Sequence, residues 1–129
     1  MAHYSRICKV VVDVPAADHD RVAAFWGAAA GAPAAVVPDS PEYLSASLRS
    51  PRMWLYFQRL DSAESGPRVH LDIHTDDVEA EVTRLERLGA ARVRRVHSWW
   101  VMRDPAGLLF CVIPHPPGNL DDSNAQRWD

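Results

Sequence analysis

One segment constrains the fold more than any other: Arg68-Val-His-Leu-Asp-Ile-His-Thr-Asp-Asp-Val-Glu-Ala-Glu-Val-Thr-Arg-Leu-Glu-Arg-Leu-Gly89. In its first part, Val69, Leu71 and Ile73 alternate with His70, Asp72 and His74. A strand sends successive side chains to opposite faces, so the apolar set shares one face and three ionisable groups share the other. The period then changes from two to that of a helix, with Val78, Val82, Leu85 and Leu88 on one stripe of a helix from about Asp77 to Leu88. Thr75 or Asp76 stands where an N-cap belongs, Asp77 and Glu79 suit the positive helix start, and Gly89 suits its stop. The segment reads as a strand running directly into a helix.

The same layout occurs earlier in the chain. Ile7–Val14 is rich in β-branched residues and reads as a buried strand that Pro15 ends. Asp18 can cap a helix through about Ala30, with Val22, Phe25, Trp26 and Ala29 on its stripe and Gly31 and Pro33 beyond it. A weak strand at Ala34–Val37 follows, then a turn bracketed by Pro38 and Pro41, then strands at Tyr43–Leu48 and Met53–Gln58 around Ser50-Pro51. After Pro67 and the featured segment come strands at Arg92–Val96 and Trp99–Met102, a turn at Asp104-Pro-Ala-Gly107 and a last strand at Leu108–Ile113. The order strand-helix-strand-strand-strand thus appears twice, a weak internal repeat in layout more than in letters. Each half alone exposes one face of a short sheet, and together they can curl round a shared cleft. At 129 residues the expectation is a single domain, with modules at 6–60 and 67–114 and a Pro- and Asp-rich tail, 115–129, without periodicity.

Bulk properties remove several function classes. A formal net charge of -3 gives no strong attraction to nucleic acid. No apolar run approaches the ~20 residues needed to span a bilayer, and no signal-peptide pattern opens the chain. Two cysteines, Cys8 and Cys111, lie near opposite ends and do not make a disulfide framework, so a reduced, cytoplasmic setting is expected. Phosphate-cradling glycine loops, paired-cysteine zinc patterns and hydrolase serine elbows are absent from the sequence.

The residues that could meet a ligand follow from strand geometry. Same-face neighbours lie ~6.6–6.8 Å apart, so His70 and Asp72 can approach one ligand together, whereas His74 is too far from His70 to share an ion with it. The bland alternative is a solvated strand face with Asp72 bonded to an arginine. Trp54, Tyr56 and Gln58 fall on one side of their strand, with Leu55 and Phe57 on the other. Flat rings of Trp54, Tyr56 and Trp99 beside a few polar groups suit an aromatic or planar ligand, or else core or dimer packing. Lys9, the sole lysine, is either a ligand-binding cation or the partner of Asp72 or Asp13. Cys111 is either a ligand or reactive thiol, or inert packing.

Three stretches, His70-Leu-Asp-Ile-His, the helix end Leu88-Gly89-Ala90, and Trp99-Trp-Val-Met-Arg-Asp-Pro-Ala-Gly-Leu-Leu-Phe-Cys111, resemble the glyoxalase-like branch of the vicinal oxygen chelate superfamily. This superfamily also holds bleomycin-resistance proteins and extradiol dioxygenases. Phe25-Trp26 and Leu55-Tyr-Phe-Gln58 fit the same branch, and the resemblance covers about residues 6 to 114. It implies an α+β fold of paired βαβββ modules forming a U-shaped, partly open mixed sheet around a cleft, helices outside, often as a homodimer. It also implies that metal-using members place ligands at the positions of Lys9, Gln58, His70 and Cys111. An ammonium cannot ligate, and no acidic residue stands at the four positions. The expectation is therefore a metal-poor protein whose small-molecule ligand is oriented by His70, Gln58, Asp72 and Lys9 and stacked on Trp54, Tyr56 and Trp99, with sequestration or resistance as its use. The alternative is a lyase, isomerase or dioxygenase-type enzyme with a divalent ion on His70, Gln58 and Cys111. A third reading is a subunit whose exposed tryptophans serve association.

Overall fold

The computed structural model describes residues 2–30, 32–47, 53–61 and 68–129, without the side chains of residues 25, 26, 29, 30 and 47. The sequence expectations for Gly31, Leu48, the Ser50-Pro51 turn, Pro67 and the Phe25 and Trp26 side chains lie outside the described residues. Two compact units are distinguished, residues 9–70 and residues 1–8 with 71–129.

In the unit of residues 9–70, β1 (His3–Pro15) enters from Lys9, and a short 3-10 turn at Ala16–Asp18 leads into α1 (His19–Ala30). Strands β2 (Ala35–Val37), β3 (Ser40–Ser47) and β4 (Trp54–Leu60) follow. β4 lies parallel to β1, β3 antiparallel to β4, and β2 antiparallel to β3. Phe57, Val11, Val14, Ala23 and Ala46 are at most 1% exposed, with Val11 and Val14 on opposite faces of β1. His19, which carries no sequence pattern, is 2% exposed, and its Nε2 lies 2.7 Å from the Phe57 carbonyl oxygen. That bond ties the start of α1 to the middle of β4. Gly27 is needed inside α1 because a Cβ there would stand 3.0 Å from both Ala32 O and Ala34 N, where the chain folds back.

In the other unit, β5 (Arg68–Thr75) continues from Leu71 into α2 (Val78–Arg87), β6 (Ala91–Val96), β7 (Trp99–Arg103), β8 (Leu109–Pro114) and β9 (Gln126–Trp128). β5 and β8 run parallel, while β8–β7 and β7–β6 are antiparallel. Val82, Met102, Phe110 and Val112 form the core, with Leu71, Ile73, Val78 and Leu85 packed on it. The architecture is α+β, a βαβββ order met twice, with parallel and antiparallel pairing in each unit and no closed barrel among the described strands. No helix among the described residues is long and apolar enough to cross a membrane.

Three expectations change. The N-cap of α2 is Asp77, whose Oδ1 accepts from Ala80 N at 3.0 Å, rather than Thr75 or Asp76. Thr75 Oγ1 instead sits 3.2 Å from Asp77 N, so the hydroxyl braces the cap residue and does not replace it. Leu88 is 67% exposed: it is the C-cap of α2, just past the last helical residue Arg87, and it borders an open apolar cavity with Leu85 rather than joining the core. The bland alternative of a solvated face fails at Asp72, which is 4% exposed, whereas Val69 is 49% exposed.

The tail is built into its unit. β9 pairs antiparallel with His3–Ser5, Trp128 Nε1 donates to Ser5 Oγ at 3.0 Å, and the Arg84 guanidinium lies 3.9 Å from the Trp128 ring centre. Arg84 donates twice, each at 2.8 Å, to the fully buried Glu81, and His3 Nε2 stands 2.7 Å from the same carboxylate. A period-based reading misses such a strand because three residues carry no period.

Burial pushes the Glu81 carboxyl up, but the bonds from Arg84 and His3 outweigh it and hold the group below its usual 4.5. A carboxyl lowered in the native state stabilises above its unfolded value, and that contribution is lost as pH falls through the folded value. Urea unfolding between about pH 5 and pH 3 should therefore show a steeper loss of stability in the wild type than in Glu81→Gln. At neutral pH, Glu81→Ala should cost about 3–5 kcal/mol, since it strands two buried donors. Parallel acid profiles for wild type and Glu81→Gln would contradict this.

Candidate ligand-binding site

Residues 9–70 place a charged and aromatic set on one face of the β1–β4 ladder. The register pairs Lys9 with Trp54, Val11 with Tyr56, and Asp13 with Gln58. Partners in a ladder share a face, so Lys9, Asp13, Trp54, Tyr56 and Gln58 lie on the same side. β3 adds Tyr43, the partner of Gln58, whose ring lies 6.1 Å from Tyr56 at a tilt of 56°. Lys9 Nζ stands 4.7 Å from the Tyr56 ring centre, a cation–π contact. Tyr56 is half-buried and Trp54 is 47% exposed, so flat aromatic surface remains accessible.

The centre of the site is Asp13, which is 2% exposed. A carboxylate so placed requires donors. Its Oδ2 lies 2.9 Å from His70 Nδ1 and 3.2 Å from Arg68 Nε. A carboxylate in its ionised form only accepts, so in this contact Nδ1 carries the hydrogen. A carboxylate behind a histidine in this way fixes both tautomer and ring orientation. Asp13 Oδ1 is buried with no hydrogen-bond partner among the described residues. Sequence reading considered Asp13 only as a partner for Lys9. The available signal was a single acid within the apolar run Ile7–Val14, which in a buried strand has to be answered by donors.

Lys9 and Gln58, two of the four positions implied for a metal, lie apart on the β1–β4 ladder. Lys9 and Gln58 are four ladder steps apart, about 13 Å at ~3.3 Å per residue, because Gln58 faces Asp13 and Lys9 faces Trp54. The Lys9 ammonium is engaged with Tyr56, and a cation cannot ligate. A set through both residues therefore does not fit one ion.

In the other unit, Asp72 and Cys111 are ladder partners on β5 and β8. Asp72 is 4% exposed, and Cys111 is partly exposed and outside any disulfide. Cys8 Sγ lies 3.6 Å from the Asp72 carbonyl oxygen. A carboxylate beside a thiol can hold a zinc-type ion. His74 stacks on His115 with ring centres 4.7 Å apart. Trp99 sits 5.5 Å from the His97 ring at the β6–β7 turn. On the opposite, apolar face of β5, Leu71, Ile73, Leu85, Leu108 and Phe110 line a cavity of about 230 Å³. The Asp104 carboxylate at its rim is committed to Ala106 N and Leu108 N, each at 2.8 Å.

The model of a glyoxalase-like domain matches residues 9–113. The chain belongs to the glyoxalase-like domain family. This places it in the vicinal oxygen chelate superfamily, as its sequence resemblance implied. No curated protein matches it significantly. Among solved structures, a mutant 4-hydroxymandelate synthase from Streptomyces coelicolor is similar at 15% identity and a TM-score of 0.61, over 93% of this chain and 52% of that one. The glyoxalase-like chain thus spans about half the length of that synthase. Methylmalonyl-CoA epimerase from Mycobacterium tuberculosis is similar at 16% identity and a TM-score of 0.59, over 86% of this chain and 88% of that one. A hypothetical protein from Bacillus halodurans C-125 is similar at 12% identity and a TM-score of 0.63, over 91% and 99%. At these identities the likeness is one of fold.

The two donors to Asp13 differ in burial, the His70 side chain being 12% exposed and that of Arg68 48%. His70→Leu should lower the unfolding free energy by about 2 kcal/mol, because it strips a donor from a buried carboxylate. Arg68→Ala should cost less than about 1 kcal/mol, as for an exposed ion pair. Urea titrations that rank the two variants in the reverse order would show that Arg68, not His70, answers Asp13.

Proposed function

We propose that this glyoxalase-like protein binds a small, planar organic molecule on the polar face of residues 9–70, without a metal ion, and thereby sequesters it. The observation that carries the reading is the Tyr43–Tyr56–Lys9 group beside the Asp13–His70 pair. An aromatic platform with a cation at one side and an oriented imidazole at the other supplies stacking and directional hydrogen bonds together. His70 and Gln58 orient the ligand, Tyr56 and Trp54 stack on it, and Lys9 favours an electron-rich or anionic ring. Asp72 and Trp99 lie in the other unit, and the reading gives them no role.

A second reading is favoured by one separate observation, the ladder pairing of Asp72 with Cys111. The Asp72 carboxylate and the Cys111 thiolate are a donor pair of the kind that suits zinc and disfavours magnesium. Such an ion would polarise substrate oxygens. Two of the similar structures are named as a synthase and an epimerase, which fits an enzymatic use of the same fold.

A thermal-shift screen of the metal-stripped protein against a panel of aromatic acids, phenols and heterocycles tests the first reading. A ligand that binds only the folded state raises its stability by RT ln(1 + [L]/Kd), ~2.7 kcal/mol at a hundredfold excess over Kd. At least one compound should raise the melting temperature by several degrees, and Tyr56→Ala should abolish the rise. Stabilisation seen only after zinc is restored, and lost in Cys111→Ser, would replace this reading with the second.

A further inference from the structure

We propose that Asp13 Oδ1 is the acceptor for a hydrogen-bond donor carried by the ligand, so that the ligand is an aromatic compound bearing a hydroxyl or amino group. The inference rests on the binding reading above and narrows its chemistry. A carboxylate offers about four lone-pair sites on two oxygens. In Asp13 both bonds fall on Oδ2, from His70 and Arg68, while Oδ1 is buried with no partner among the described residues. Buried polar atoms in native proteins are nearly always satisfied, so an orphan beside a candidate binding surface calls for a ligand atom or a water.

Its position selects the ligand. Asp13 and Gln58 are ladder partners, and Tyr56 lies two residues from Gln58 on the same face, ~6.6 Å along the strand. A ring stacked at Tyr56 and Tyr43 therefore brings a ring substituent toward Asp13. Oδ1 is covered in the ligand-free chain, so entry requires a side chain to turn aside. Gln58, half-buried and the ladder partner of Asp13, is a neighbour whose side chain can do so. The site then reads a donor and rejects its methyl-capped analogue, because an ether oxygen beside Oδ1 leaves two acceptors facing each other.

Titration calorimetry of the full chain with 4-ethylphenol and 4-ethylanisole, and with 4-ethylaniline and its N,N-dimethyl derivative, decides the matter. The wild type should bind each donor compound at least about tenfold more tightly than its capped analogue. In Asp13→Asn, the carbonyl retains His70 and Arg68 and an amide NH2 takes the place of Oδ1, so the preference should vanish or reverse toward the ethers. Equal binding of capped and uncapped probes by the wild type would overturn the inference while leaving the binding reading intact, and would assign Oδ1 to a water. A donor preference unchanged in folded Asp13→Asn would overturn it as well. Binding of neither probe pair would remove the binding reading, and the inference with it. Should Asp13→Asn fail to fold, the wild-type comparison alone decides.

Discussion

A carboxylate inside an apolar strand is the constraint on which the candidate site depends. Asp13 interrupts a run of valines on β1 and is almost completely buried. Leaving it unanswered would cost several kcal/mol, so the chain must bring donors to it. It does so from β5, where His70 and Arg68 occupy alternate positions on one face. The polar alternation of β5 is therefore the counterpart of one acid on β1. That exchange also orients the imidazole, which links a requirement of folding to a property of the site.

The other unit meets the same problem with a different solution. Glu81 on α2 is fully buried and receives a bidentate arginine and a histidine, and the arginine is in turn covered by Trp128. The C-terminal strand is held by this stacking and by the Trp128–Ser5 bond more than by apolar burial. In each unit a buried acid, Asp13 or Glu81, is thus answered by a histidine and an arginine, and Asp72 is a further buried acid of the second unit. In residues 9–70 the acid lies beside accessible aromatic surface, and in the other unit the network serves to fasten the tail.

The α+β order was legible because it rests on periodicity and punctuation. Alternation in β5, the α2 stripe and the stop at Gly89 each encode local geometry directly. What could not be read is what depends on register. Sequence places Lys9 and Gln58 in one candidate set, but the parallel β1–β4 ladder sets Gln58 against Asp13 and Lys9 against Trp54. His3 and His19 carry no pattern, because each is defined by a partner distant in sequence, Glu81 and the Phe57 carbonyl. Leu88 fits the helical stripe by number, yet lies past the point where the helix ends. His70 and Tyr56 were visible as candidates, whereas Asp13 was hidden by its apolar neighbours.

If the ligand is bound without a metal, as proposed, Asp13 sets the state of the His70 ring. Long-range proton–nitrogen NMR of the imidazole, recorded before and after treatment with a chelator, tests this directly. The account predicts a neutral ring protonated at Nδ1, with nitrogen shifts that the chelator leaves unchanged. A ring protonated at Nε2, or shifts of a metal-bound nitrogen that collapse on chelation, would contradict it.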